Sequence, residues 1–399
     1  MVKGFGPARK EADVEKRGVR ARDAGIVIGE LAPGPNNAIT DVEGVRVGHA
    51  TIVRGEGALV VGEGPVRTGV TVVCPREGLT RDEPVFAGPH RLNGNGEMTG
   101  LEWIRESGLL TTPVAITNTH SVGVVRDALI TAELEARTDE DIYWSMPVVA
   151  ETFDGVLSDI NGQHVTADHL HEALADASGG PVEEGAVGGG TGMICHEFKG
   201  GIGTASRRLV DEDGGWTVGA LVQANYGIRS ALRVDGAPVG RVLTTERIPS
   251  PLATLEAEEL PPGGGSIIAI LATDAPLLPG QCERLAQRAS IGLGRMGGGC
   301  DDGSGDLFLA FATGNSGIPR SGFPIRSPAT ILLQMVPSER MTPLFYAAAE
   351  AIEEAILNAL LAAGDMTGRD GITAYGLTPD LVLGALDEAR ALCAQPKEG

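Results

Sequence analysis

The 399-residue chain carries 53 acidic and 32 basic side chains, a formal charge of −21, and 42% of its residues are hydrophobic. That apolar share supplies a sizeable core and excludes global disorder, while the acidic balance argues against nucleic acid or an anionic membrane as a partner. Glycine is the outlying residue, 58 in all and about twice the usual ~7%, without a collagen period, so it must mark turns and close backbone approaches.

Residues 1–24 are densely charged and lack an apolar segment, which predicts an N-terminal arm, no signal peptide, and a single body over 25–399. Residues 38–53 alternate apolar and polar and read as strands around a turn at Gly44; 68–74 form another strand. A helix is expected over 98–108, with Thr99 and Glu102 spaced as a capping box. Strands follow at 111–118 and 147–151, the latter ending on Glu151, with helices at 122–135 and 165–176. The segment 185–204 is dense in glycine, and 217–227 is a strand running into a loop that contains Asn225. The polar, proline-rich stretch 241–262 is the best linker in the chain. Beyond it, buried strands are expected after Ser266 and at 307–313 and 329–336. Helices are expected at 279–292 and 342–363, and a glycine-rich loop at 297–306. Runs of strands with few, long helices indicate an α+β body of mixed or antiparallel sheets. The five cysteines are scattered and form no CxxC pair, so buried thiols in a reducing, cytoplasmic setting are expected. No apolar run reaches the ~20 residues of a membrane span.

The sequence Gly263-Gly264-Gly265-Ser266 runs directly into the apolar strand IIAILAT. A small nucleophile at the start of a core strand is held by that strand, and the glycines let the backbone bend and leave the Gly265 carbonyl open to attack. Attack by the Ser266 hydroxyl on that carbonyl, followed by hydrolysis of the ester, would release chains 1–265 and 266–399. The new α-amine, with an ordinary pKa of about 7.7–8.0, could then act as a base for its own hydroxyl. Read alone, the same four residues also suit a flexible turn ahead of a strand.

Several stretches together resemble the L-aminopeptidase/D-amidase/D-esterase and β-peptidyl aminopeptidase family, peptidase family S58. They are ITDVEGVRVGHATI (39–52), NGNGEMTGLEWIRESG (93–108), ITNTHSVGVVRD (116–127), VVAETFDGVLSDING (148–162), GAVGGGTGMICHEFKGGIGTASR (185–207), VGALVQANYG (218–227), GGGSIIAILATDAPLLP (263–279) and GSGDLFLAFATGN (303–315). The resemblance implies a self-processing hydrolase whose N-terminal serine is the nucleophile, acting on small peptides, amides or esters without metal or organic cofactor. It implies a four-layer αββα sandwich shared with ornithine acetyltransferases and Ntn-hydrolase-like in character. It also implies a homo-oligomer, a tetramer of processed αβ units.

By that resemblance Ser266 is the nucleophile, Asn225 the oxyanion-hole donor, and Ser304 with Asp306 a supporting serine–carboxylate pair. Glu151 is the acid that binds a substrate's free ammonium group. Phe153 departs from the pattern, since relatives place a hydroxyl-bearing tyrosine there. Each residue also has a plain structural use: Asn225 at a strand-end turn, Ser304 and Asp306 at the start of a strand. His164, His169 and His171 have no metal-ligand spacing and suit surface or cap positions. GGGTG (188–192) lacks the Lys-Ser/Thr of a phosphate loop and suits close packing around a cleft. An acyltransferase of the ornithine acetyltransferase type is the main alternative, though those enzymes use threonine at the cleavage position. A catalytically impaired member is the other, and Phe153 is the feature that favours it.

Overall fold

The computed structural model describes residues 19–253, 264–320, 322–325 and 327–394. Most of the expected arm, residues 254–262 of the expected linker, and Gly263 lie outside the described residues. In chain order the first half contains β1 (Arg46–Arg54), β2 (Val66–Cys74), β3 (Val85–Gly94), α1 (Leu101–Ser107), β4 (Leu109–Leu110), β5 (Val114–Asn118), α2 (Val122–Ala136), β6 (Val148–Thr152) and α3 (Ala167–Asp176). A tight hairpin of β7 (Ile194–Cys195) and β8 (Phe198–Lys199) precedes β9 (Gly201–Arg208) and β10 (Thr217–Asn225). Then come β11 (Gly265–Thr273), α4 (Pro279–Ala286), α5 (Ala289–Arg295), β12 (Ser304–Ala312), α6 (Thr342–Ala362) and α7 (Pro379–Ala394).

Two sheets form. One has the order β1-β2-β5-β6, and the other β4-β3-β12-β11-β10-β9. Within them β5–β6 and β11–β12 are parallel and the remaining neighbours antiparallel. The strands alternate their side chains between two faces, and both faces are apolar. Val73, Ile116 and Ala150 of the smaller sheet meet Leu221, Ile268, Ile270 and Leu309 of the larger one in a shared core. The opposite face of the larger sheet packs Val222, Ile267 and Phe308 against Leu293 of α5 and Ile352 and Ile356 of α6. The outer face of the smaller sheet packs Val70, Val72 and Val149 against Val125 and Leu129 of α2 and Leu170 of α3.

Helix α6 turns Glu350 and Glu354 inward, and the buried Arg207 of β9 pairs with both at 3.0 and 2.7 Å. Arg22 joins Glu354 from the described end of the arm, so residues 19–24 dock on the body.

Four expected elements differ. Residues 39–41 form a short 3-10 turn, and only the second half of the 38–53 pattern becomes a strand. Thr99 does not cap α1. Gly100, in a left-handed conformation, holds the N-cap position, and the Thr99 hydroxyl donates to the Pro147 carbonyl at 2.7 Å instead. The expected helix 279–292 is two helices, because Arg288 N–H bonds back three residues to Leu285 rather than four. The apolar run 329–336 is not a buried strand: Leu332 is fully exposed, Met335 is 55% exposed, and only Val336 is buried. Its backbone is pinned by the Asn315 side-chain amide, which bonds Gln334 N–H and C=O, not by a ladder. An apolar run reports composition and not what covers it. The cysteines also divide: Cys74, Cys195 and Cys282 are buried, whereas Cys300 and Cys393 are exposed.

Candidate active site

Ser266 is the second residue of β11, and its position follows from three strands pairing in register. It stands opposite Asn225, the last residue of β10, and beside Gly305 of β12; Gly265 stands beside Ser304. Asn225, Ser266, Ser304 and Asp306 therefore gather at one end of the larger sheet. Glu151 and Phe153 arrive from the end of β6 in the facing sheet. A cavity of about 410 Å³ lies where these ends meet, lined by Glu151, Phe153, Ile194, Asn225, Gly265 and Ser266 among others. Ser304 and Asp306 are buried and do not line it.

Gly265 requires its lack of a side chain. Its φ is +141°, and a Cβ built there would stand 2.1 Å from the Asn225 carbonyl oxygen. The intact peptide thus approaches β10 more closely than any other residue could. Ser266, 4% exposed, donates its hydroxyl to the Gly265 carbonyl at 2.7 Å. The hydroxyl that would attack is hydrogen-bonded to the oxygen of the carbonyl group it would attack.

Asn225 is held at both ends of its amide. Its Oδ1 accepts from Ile194 N–H at 2.8 Å, and its Nδ2 donates to the Phe153 carbonyl at 3.0 Å. Ser304 donates to Asp306 Oδ1 at 2.6 Å, so the alternation along β12 puts both side chains on one face as expected. Burial raises the Asp306 carboxyl above the ordinary range, with the Ser304 hydrogen bond opposing, and its Oδ2 has no hydrogen-bond partner. The Ser266 hydroxyl is engaged with Gly265, not with Ser304.

Glu151 is 3% exposed. Its Oε1 accepts from Glu97 N–H at 2.9 Å and its Oε2 from the Thr119 hydroxyl. Burial raises its pKa, and these two donors pull it back. Glu151 makes no ion pair with a lysine or arginine among the described residues, and it lines the cavity. Phe153 is 38% exposed at the rim and offers an aromatic face without a hydroxyl. Next to it, Asp154 is fully buried, and burial pushes its pKa up to about 7. The neighbouring Thr68 hydroxyl and Asn118 amide oppose that rise.

Thr119 and Ile194 also belong to the site, although neither is among the residues expected from the sequence. Thr119 follows β5 directly, and a hydroxyl after a strand end facing Glu151 was the available signal. Ile194 acts through its backbone, which leaves no trace in residue type. Of the three histidines, His169 takes a cap role and His164 a buried pairing role. His169 Nδ1 accepts from Thr166 N–H at the start of α3, and His164 Nε2 pairs with Asp159 at 2.8 Å. The 188–192 glycines pack tightly, as the 2.5 Å separation from a Cβ at Gly190 to Ile202 N illustrates.

The family model for peptidase family S58 matches residues 37–374. The chain belongs to this family. It is 48% identical over 382 residues to the β-peptidyl aminopeptidase BapA of Sphingosinicella microcystinivorans, covering 94% of each chain. The solved structure of a Burkholderia sp. β-aminopeptidase is similar with a TM-score of 0.86 at 58% identity, over 93% of this chain and 99% of that one. The L-aminopeptidase D-Ala-esterase/amidase of Ochrobactrum anthropi, a prototype for the serine aminopeptidases and a variant among the Ntn hydrolase fold, has a TM-score of 0.84 at 43% identity. That match covers 93% of this chain and 98% of the other. The α+β fold is accordingly related to the Ntn-hydrolase-like aminopeptidases. No helix among the described residues is long and apolar enough to cross a membrane.

Proposed function

We propose that the S58 chemistry of this chain runs through the residues gathered at the cavity. The protein is an autoprocessed serine aminopeptidase, and the cut falls between Gly265 and Ser266. The observation that carries this reading is the contact of the Ser266 hydroxyl with the Gly265 carbonyl, at a glycine no other residue can replace. Oγ attacks the Gly265 carbonyl carbon, the C–N bond breaks, and the nitrogen departs as the new α-amine. Water then hydrolyses the ester to free chains 1–265 and 266–399 of one αββα body.

In turnover, Glu151 binds the substrate's ammonium group by a charge-assisted pair. Ser266 Oγ attacks the scissile carbonyl, and its proton passes to the Ser266 α-amine or toward the Ser304–Asp306 pair. Asn225 Nδ2 stabilises the oxyanion, a contribution of roughly 3–4 kcal/mol in comparable sites. The acyl-enzyme then hydrolyses. β-Amino residues are the favoured N-terminal residues, since relatives at 48% and 58% identity carry β-peptidyl and β-aminopeptidase names. Processed units assemble into a tetramer in the cytoplasm. Paired substrates test the ammonium reading: a β-homoalanyl amide should be hydrolysed and its N-acetyl form should not. Equal rates on both would refute the role of Glu151.

A further inference from the structure

Lys199 is a lysine by type and a core residue by position. It is 0% exposed, and its Nζ donates to three backbone carbonyls, those of Met193 at 2.9 Å, Gly200 at 2.7 Å and Gly190 at 3.3 Å. Its titratable neighbour is the Cys195 thiol, not a carboxylate. Burial pushes its pKa down to about 7, while three carbonyl acceptors match the three N–H groups of the charged form and favour it. A buried cation without a counter-ion is costly, so what it holds in place is informative.

The Met193–Ile194 peptide answers this. Its carbonyl accepts from both Lys199 Nζ and Gly200 N–H, each at 2.9 Å. Its N–H donates to Asn225 Oδ1 at 2.8 Å. One peptide plane is therefore gripped by an ammonium on one side and presents its N–H to the Asn225 amide on the other. Polarising the carbonyl strengthens the opposite N–H as a donor. Together with the Phe153 carbonyl, which accepts from Nδ2, that N–H sets which end of the Asn225 amide faces which way. Without it, the amide can turn its oxygen toward an oxyanion that it would repel.

The hairpin that carries this peptide is built to fixed dimensions. Ile194 pairs with Lys199, and the two turn residues, His196 and Glu197, both have left-handed φ values, 49° and 63°. Neither is glycine, so the turn is held against its own preference. Glu197 also lines the cavity.

We infer that Lys199 is a positioning residue for the oxyanion hole, acting through the Met193–Ile194 peptide to orient the side-chain amide of Asn225. The inference rests on the oxyanion role of Asn225 proposed above.

The test is a double-mutant cycle with Lys199→Met and Asn225→Ala. Values of kcat and KM are measured per processed site, titrated with a serine-reactive acylating reagent. K199M should lower kcat about 100-fold, as loss of an oxyanion donor does, with KM within about threefold of wild type. The double variant should fall no more than about threefold below N225A, because both changes remove one interaction. Lys199→Gln, which keeps two donors for the carbonyls, should recover at least about fivefold of the K199M loss. If N225A keeps full kcat, the Asn225 reading itself fails. If N225A is impaired while K199M is not, or if the two losses multiply in full, the Lys199 inference fails alone. It fails too if both Lys199 variants do not fold, or if K199M folds and stays uncut, since Lys199 would then serve stability or cleavage rather than turnover.

Discussion

Replacing Gly265 with alanine tests the close approach on which self-cleavage depends. The added Cβ would stand 2.1 Å from the Asn225 carbonyl oxygen, where ordinary contact begins at 3.4 Å, so the peptide must retreat by more than 1 Å. Asn225 belongs to a paired core strand and cannot yield easily, so the displacement falls on the scissile peptide. A misplacement of ~1 Å of reacting groups costs about 100-fold in rate. A φ of +141° adds strain of about 1–3 kcal/mol for a residue with a side chain, and overpacking adds a similar amount to the loss of stability. Gly303 supplies the control at the same cavity: a Cβ there would meet only the Gly264 Cα, at 3.6 Å. The assay is a time course of freshly expressed protein on denaturing gels, with thermal unfolding alongside. Gly265→Ala should accumulate as uncut chain, slowed about 100-fold or more, and Gly303→Ala should process normally. Wild-type processing by Gly265→Ala would refute the geometric argument.

Two further outcomes concern buried carboxyls. Glu151 must be ionised to hold an ammonium, and burial raises its pKa, so KM should begin to rise above the ordinary carboxylate range as pH falls, with kcat little affected. Glu151→Gln should remove that dependence and raise KM throughout; a KM flat with pH in the wild type would contradict the assignment. Asp154 has a folded-state pKa of about 7, above its unfolded value, so the folded state binds the extra proton. Stability is therefore full at low pH and declines as pH rises from about 4 to about 7, by up to ~4 kcal/mol at ~1.4 kcal/mol per pK unit. Asp154→Asn should abolish this decline in urea unfolding measured across the same range, and an unchanged pH profile in the variant would contradict the assignment.

The strands that carry the site were legible because each is a short apolar run with a chemically distinctive residue at its end: Glu151 on β6, Asn225 on β10, Ser266 on β11. Which of those ends meet was not, because strand pairing is set by packing across the sheets rather than by any one segment. Strand β3 stayed hidden behind Pro89 and its glycines, which usually argue against a strand. The run 329–336 misled for the converse reason, since its apolar composition belongs to exposed backbone. Lys199 could not be found from its type, because lysine is ordinarily a surface residue and its partners here are carbonyls.

The central claim is that Ser266 cuts its own chain and then performs the hydrolysis. Intact mass and N-terminal sequencing of the purified protein test it directly, beside Ser266→Ala. The wild type should give two chains, one of them beginning at Ser266, and Ser266→Ala should remain one inactive 41.2 kDa chain. A single uncut chain that removes N-terminal residues from peptides, or activity retained by Ser266→Ala, would contradict it.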